Sequence, residues 1–225
     1  MNRNKSSEKE EQLTSMSKCR TGSYACAVLI NGRGYMGDKK GLVKIAGRPM
    51  IEYVLDSVPD EVTDLFVYVE NETQATAYEP ICEKYFASLI RMEKSQYSNE
   101  YEKIREVLEK VPNSNVLILP CDMPCITLEF TYFLLEASKK FTAVLPRMLD
   151  NNVDFSLASY QTAPLIEAFK KYPEMHMPEL IKKLKNVLYI STNALRFFDN
   201  KLGILYRVSS AADIPKVENI LRNRL

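Results

Sequence analysis

The sequence contains a single histidine, His176, in 225 residues. A Ser-His-Asp triad or a multi-histidine zinc site would have to be built around that one residue, so hydrolase chemistry of those kinds is disfavoured at once. His176 stands in a Met- and Pro-rich segment and reads as a surface or packing residue. No apolar run approaches the roughly 20 residues of a membrane-spanning helix. The N-terminal stretch is polar and charged and lacks the apolar core of a secretory signal, so a cytoplasmic location is expected. An excess of one charge is missing too: 30 basic residues face 29 acidic ones, for a net charge of +1. That balance argues against a nucleic-acid binder relying on a basic surface. The cysteines Cys19, Cys26, Cys82, Cys121 and Cys125 are odd in number and form no Cys-x-x-Cys pair. Free thiols in a reducing compartment are therefore expected. Cys121 and Cys125 flank an Asp-Met-Pro turn with no histidine or further cysteine beside them. Cys121 reads better as a small buried hydrophobe at a strand end than as a metal ligand.

What is present is apolar material in short runs. Hydrophobic residues make up 46% of the chain, enough for a substantial core. Ala25 to Ile30, Leu65 to Val69 and Val116 to Leu119 are continuous apolar runs bounded by turn residues, as strands buried on both faces are. Phe86 to Ile90 and Thr142 to Leu145 are weaker strands. Helical patterns lie between them, at Met50 to Ser57, Thr73 to Lys84, Glu100 to Lys110 and Leu128 to Lys139. Pro49 suits a first helical turn and Thr127 an N-cap. Further on, Val153 to Tyr160, Val187 to Ile190 and Leu202 to Val208 read as strands. Pro164 to Tyr172, Glu179 to Leu184 and Ile214 to Leu225 read as helices. The alternation predicts a single α/β domain over 23–225 behind a flexible polar tail at 1–22, with three α/β/α layers around a mostly parallel twisted sheet.

Two segments carry chemistry. The first, Asn31-Gly-Arg-Gly-Tyr-Met-Gly-Asp-Lys-Lys40, follows a buried strand. Its glycines, Gly32, Gly34 and Gly37, permit positive φ and let backbone N–H groups point at an anion. Arg33, Lys39 and Lys40 add positive charge, and ligands of open α/β sheets bind beyond the carboxyl ends of strands. The spacing Gly32-x-Gly34-x-x-Gly37 satisfies a dinucleotide fingerprint literally. Its context does not, because Gly41, Gly47 and Pro49 follow where a long helix should start. A Walker A loop fails as well, since Asp38-Lys39 follows Gly37 in place of Gly-Lys-Ser/Thr. A glycine-rich turn with solvated lysines is the plain alternative. The second segment, Asn115-Val-Leu-Ile-Leu-Pro-Cys-Asp-Met-Pro-Cys125, ends a buried strand in Asp122. A carboxylate there faces the same sheet edge as the glycine loop and is a suitable hard ligand for Mg²⁺. Capping of the next turn is the competing role, but Thr127 is available for that.

Met36-Gly37, Lys40 and Gly47-Arg-Pro-Met50 appear in the order of a signature running Leu-x-Gly-Gly, Arg-Met-Gly, Asp-Lys and Gly-x-Pro-Leu. Leu119-Pro-Cys-Asp-Met-Pro124 is nearly identical to a second motif, Leu-Pro-x-Asp-Met-Pro. On these residues the chain resembles the molybdenum-cofactor guanylyltransferase-like NTP transferases, with weaker likeness continuing over roughly 25–225. Leu205 to Ile214 resembles that family's terminal Asn-x-Asn-Thr-Pro-Glu-Asp-Leu. Several positions depart from the pattern. The glycine loop is one residue short, Asn31 stands for a Gly, Tyr35 for an Arg and Lys39 for an Asp. The family's Gly-Pro-Leu-x-Gly is replaced by Ser95 to Tyr101. Ser209 and Ser210 replace Asn-Thr, which bears on a second metal ligand.

The resemblance implies a Rossmann-like nucleotide-binding half and a Mg²⁺-dependent nucleotidyltransferase. It moves a nucleoside monophosphate, GMP from GTP, onto a phosphorylated acceptor such as molybdopterin or cobinamide phosphate. Sugar- or alditol-phosphate nucleotidyl transfer, or a nucleotide-binding protein without activity, are the alternatives. Asn31, Gly32, Gly34, Gly37 and Lys40 would bind the nucleotide. Lys40, Asp122 and Arg33 would serve catalysis, and Asp122 would hold the metal. Asn71 and Glu93, each just after a strand, are candidates to read the base or ribose, with ordinary loop roles as the alternative. No nucleic-acid or membrane partner is expected, and the protein would be a monomer or homodimer.

Overall fold

The computed structural model describes residues 20–31, 36–93, 99–150 and 152–224. Most of the expected N-terminal tail therefore lies outside the described residues. The strands are β1 (Arg20–Leu29), β2 (Lys44–Ile45), β3 (Arg48–Pro49), β4 (Asp64–Val69), β5 (Ser88–Arg91), β6 (Asn113–Pro120), β7 (Ala143–Pro146), β8 (Ala158–Gln161) and β9 (Val187–Ile190). The helices are α1 (Met50–Leu55), α2 (Glu72–Lys84), α3 (Glu100–Lys110), α4 (Leu128–Ala137), α5 (Thr162–Lys171), α6 (Met177–Ile181), α7 (Thr192–Leu195) and α8 (Ile214–Arg222).

Seven strands form one sheet in the order β5-β4-β1-β6-β8-β7-β9, and β2 and β3 form a separate hairpin. Within the seven-stranded sheet β8 runs against its neighbours, pairing antiparallel with both β6 and β7. The other pairings are parallel, so the expected mostly parallel α/β sheet is what the chain forms. The continuous apolar runs have a simple cause. Side chains alternate across a strand, and here both faces are covered. Cys26, Val28 and Ile30 of the first strand and its exit pack in one core with Ile51 and Val54 of α1, Tyr78 of α2 and Leu134 of α4. Ala25, Ala27 and Leu29 pack in the other with Ile104 and Val107 of α3 and Leu165 of α5. Each fully buried Leu or Ile contributes about 1.5–3 kcal/mol by leaving water. Thr127 caps α4 by accepting from the Phe130 N–H, as its position in the sequence indicates.

Three expected elements differ. Leu202 to Val208 is not a strand. Leu202 takes a left-handed φ of 57°, and a single 3₁₀ turn follows over Gly203–Leu205. A Cβ on Gly203 would lie 2.9 Å from Ile220 Cγ2, so this segment is pressed onto α8 and not onto a sheet edge. Val153 to Tyr160 is not one continuous strand: Val153 makes an isolated antiparallel bridge with Arg147, and β8 begins only at Ala158. Asp154 Oδ1 accepts from the Ser156 and Leu157 N–H groups, a local turn that competes with strand pairing. Pro49 precedes α1 instead of opening it, and closes the β2–β3 hairpin. The two turn residues of that hairpin, Ala46 and Gly47, both have positive φ, as a two-residue turn matching strand twist requires.

Candidate active site

Parallel pairing of β1 with β6 sets Leu29 beside Pro120, so both strands release the chain at the same rim. The Cys121 N–H donates to Leu29 O at 3.1 Å, locking the two exits together. Asn31 leaves one strand and Asp122 the other. From Gly37, at φ 52°, the chain runs through a 3₁₀ segment to Leu42 and returns to this rim. Gly41 is the pivot. Its N–H donates to Tyr78 Oη at 2.8 Å, and a Cβ there would stand 2.9 Å from that oxygen and 3.4 Å from Cys121 Cβ. Only a residue without a side chain lets the loop pass between α2 and the β6 exit. The neighbouring Lys40 consequently reaches Asp122: Nζ lies 2.5 Å from Oδ2, with the carboxylate side chain 1% exposed.

A second cation completes the cluster. Arg207 Nη1 lies 3.0 Å from Asp122 Oδ1, and its Nη2 lies 3.0 Å from Asp154 Oδ2. Nη2 also donates to Ser156 Oγ at 3.0 Å. The Val208 N–H donates to Asp122 O at 2.8 Å, so the backbone beside Arg207 is tied to the same turn. Burial works against the guanidinium's charge, but Asp122, Asp154 and Glu100 outweigh it and hold its pKa above the ordinary value. Burial raises the Glu100 carboxyl above its usual range, opposed by Arg207. The Cys121 thiol, fully buried, is pushed up to about 12, which makes it an inert packing group.

Arg207, Asp154 and Glu100 border a cleft of about 380 Å³, lined also by Asn31, Lys103 and Phe155 among others, and Lys40 and Asp122 lie behind Arg207 and do not line it. That volume lies within the range of about 300–1,000 Å³ common for small-molecule sites. Lys103 on its wall is ion-paired to Glu70, just beyond β4.

Of the residues expected in the site, Lys40 and Asp122 meet directly and Asn31 lines the cleft. Gly32, Arg33 and Gly34 lie outside the described residues, as does Tyr35. Asn71 caps α2 by accepting from the Gln74 N–H at 2.8 Å. Its amide donates to Asp38 Oδ1 at 3.0 Å, and Gln74 Nε2 donates to the same oxygen at 3.1 Å. Its visible work is to anchor the loop that carries Lys40. Glu93 is mostly exposed, pairs with Lys110 at 3.2 Å, and borders a second cleft of about 480 Å³ with His176. The sequence reading missed Arg207, Asp154, Glu100 and Lys103. Two local signals pointed toward Arg207: a charged residue inside the apolar stretch Leu205-Tyr-Arg-Val208, and the likeness of Leu205 to Ile214 to the family's terminal element.

Magnesium suits these donors in kind. Asp122, Asp154 and Glu100 offer hard oxygens, and Mg²⁺ takes one or two carboxylates beside waters and phosphates. Among the described residues no group of three or more His, Cys, Asp or Glu is placed to hold a metal. Protein alone would therefore supply few ligands, and the two Asp122 oxygens each pair with a cation, Lys40 on Oδ2 and Arg207 on Oδ1.

The fold is an open, mostly parallel α/β sheet with a charged cluster where β1 and β6 release the chain. The structure aligns with molybdopterin-guanine dinucleotide biosynthesis protein A from Archaeoglobus fulgidus at a TM-score of 0.68 and 22% identity, over 88% of this chain and 99% of the other. It aligns with 4-diphosphocytidyl-2C-methyl-D-erythritol synthase from Anaerococcus prevotii at 0.66 and 15% identity, over 92% and 99%. At these identities the likeness establishes the fold. In sequence, the chain is 25% identical over 211 residues to a probable molybdenum cofactor guanylyltransferase of Methanosarcina acetivorans, covering 91% of this chain and 94% of the relative. A family model described as MobA-like NTP transferase domain matches residues 26–187, and the chain belongs to that family. It is thus a nucleotidyltransferase of the MobA-like type. Lys40, Asp122 and Asp154 fall inside the matched span and Arg207 outside it. No helix among the described residues is long and apolar enough to cross a membrane.

Proposed function

We propose that this protein transfers GMP from GTP to a phosphorylated cofactor precursor of the molybdopterin type and releases pyrophosphate. The observation that carries the reading is the meeting of Lys40 and Asp122 at one rim, from segments 82 positions apart. The curated relative from Methanosarcina acetivorans supports the guanylyl donor and the molybdenum-cofactor acceptor.

An acceptor phosphate oxygen attacks the α-phosphorus. The new P–O bond forms as the bond to the β-phosphate oxygen breaks, and the electron pair leaves with pyrophosphate. A phosphate nucleophile is already ionised near neutral pH, so no side chain need take its proton. This suits a chain with one histidine, and His176 is exposed on the border of the other cleft. The chain's task is positioning and charge neutralisation. Gly32, Gly34 and Gly37 would offer backbone N–H groups to the phosphates, and Arg33 would add positive charge. Lys40 leaves Asp122 to neutralise charge gathering on the departing pyrophosphate. Asn31 borders the cleft where the nucleotide would lie. Asp122 would hold Mg²⁺, which when bound neutralises phosphate charge and favours in-line transfer. Asn71 supports this arrangement through Asp38, and the base-reading roles for Asn71 and Glu93 gain no geometric support.

Pyrophosphate release tests the reading, with each NTP offered against molybdopterin, adenosylcobinamide phosphate, and sugar and alditol phosphates. GTP with molybdopterin should give acceptor-dependent release that Asp122→Ala abolishes in a folded protein. Release with CTP and an alditol phosphate alone would transfer the protein to the alternative acceptor class. Absence of release with every pair would end the enzyme reading.

A further inference from the structure

Arg207 occupies the ground between two carboxylates that could otherwise face a divalent ion. One arm of its fork binds Asp122 Oδ1 and the other binds Asp154 Oδ2, each at 3.0 Å. The remaining oxygens are committed as well. Asp122 Oδ2 holds Lys40. Asp154 Oδ1 accepts from the Ser156 N–H, the Ser156 hydroxyl and the Leu157 N–H. The Val208 N–H bond to Asp122 O fixes the backbone next to the guanidinium. An ion approaching this pair meets a resident positive charge and oxygens that each already accept from a protein donor.

We propose that Arg207 is a built-in counter-cation that keeps divalent metal off Asp122 until a nucleotide triphosphate draws the guanidinium away, so that metal enters with the nucleotide and not before it. A guanidinium is well matched to phosphate oxygens, which it binds through two parallel N–H bonds. The Arg207 side chain is 27% exposed and lines the cleft, so phosphates can reach it. Lys40 and Arg207 face Asp122 and Asp154 in the resting site, with Glu100 beside the guanidinium. A polyanion entering the cleft competes with the carboxylates for both cations and frees Asp122 for the ion it brings. This deepens the nucleotidyltransferase reading, yet its central consequence concerns the protein without nucleotide.

The test is Mn²⁺ binding to the nucleotide-free full chain, followed by the loss of the free-ion electron paramagnetic resonance signal. Removing a unit positive charge within a few ångströms of a divalent site should raise affinity by about tenfold or more. Arg207→Gln is therefore expected to bind Mn²⁺ at least about tenfold more tightly than the native chain. Arg207→Lys keeps one charge but cannot fork across both carboxylates, and should fall between the two. The gain in Arg207→Gln should vanish when Asp122→Asn is added. Equal Mn²⁺ affinity in the native chain and Arg207→Gln overturns the proposal, as does a gain that survives Asp122→Asn. If Arg207→Gln does not fold by circular dichroism, the comparison moves to Arg207→Lys, where equality with the native chain is the refuting result. Failure of pyrophosphate release would remove the enzyme reading without altering this comparison.

Discussion

Replacing Asp122 by Asn keeps the shape of the side chain and removes the negative charge that two cations share. At an effective dielectric constant of about 20, unit charges about 3 Å apart attract by about 5 kcal/mol. Desolvation of two ions costs a comparable amount, so the intact Lys40–Asp122 pair is worth little net. Breaking it from one side is a different matter. Asp122→Asn leaves Lys40 facing a neutral amide in a site where its side chain is 9% exposed. It also takes one of two carboxylates from Arg207. The expected loss is about 3–5 kcal/mol. Lys40→Met should cost less, about 1–3 kcal/mol, because Asp122 retains Arg207. The double variant should fall short of the sum by about 2 kcal/mol, since each change removes the charge that the other leaves stranded. Urea unfolding of the four proteins at pH 7 gives the cycle directly. Asp122→Asn costing under about 1 kcal/mol, or less than Lys40→Met, would refute the claim that this carboxylate is the shared counter-ion of a buried cluster.

Gly41→Ala should lower thermal stability and nucleotide affinity together, because its Cβ would meet Tyr78 Oη at 2.9 Å and displace the loop carrying Lys40. Unchanged nucleotide affinity by calorimetry would show that the loop passes that strut freely. Asn71→Ala removes the α2 cap and one of two donors to Asp38. A loss of about 1 kcal/mol is expected in urea unfolding, with weaker nucleotide binding if Asp38 steers the loop. Asp213 gives a pH signature. The Tyr206 hydroxyl, the Ser209 N–H and the Ser210 hydroxyl hold its pKa down, from an ordinary 3.8 to about 2. The ionised form therefore stabilises the fold fully above its ordinary value, and that contribution fades as pH falls through about 2. Asp213→Asn should lower the urea midpoint at pH 6, with a gap to the native chain that narrows steadily below pH 4. A gap independent of pH would contradict the assigned cause.

How much of this could be read in the chain depended on the range of each interaction. β1, β4 and β6 were legible because burial on both faces leaves no polar alternation, and the two sheet faces here each have a packed core. Thr127 was legible because a cap acts over three residues. Asn71 carries a local signal of the same kind, an Asn three positions before Gln74, and the cap it forms explains its position after β4 without any ligand. Leu202 to Val208 looked like a strand because apolar residues dominate it. Its conformation is set instead by contacts with α8 and with the turn at Asp122, neither of which leaves a trace in local periodicity.

Arg207 marks where sequence reading stops. Its carboxylate partners lie 85 and 53 positions away, and no spacing rule connects them. Asp122 could be placed because a strand exit is a topological address: once β1 and β6 are taken as parallel neighbours, their ends must share a rim. A segment that belongs to no strand has no such address. Lys40 shows the intermediate case. Its loop was expected at the rim, but its contact with Asp122 requires the passage at Gly41 beneath Tyr78, which only packing reveals. The motif thus predicts which residues gather, and the balance of charge among them is decided by an arginine that the motif does not contain.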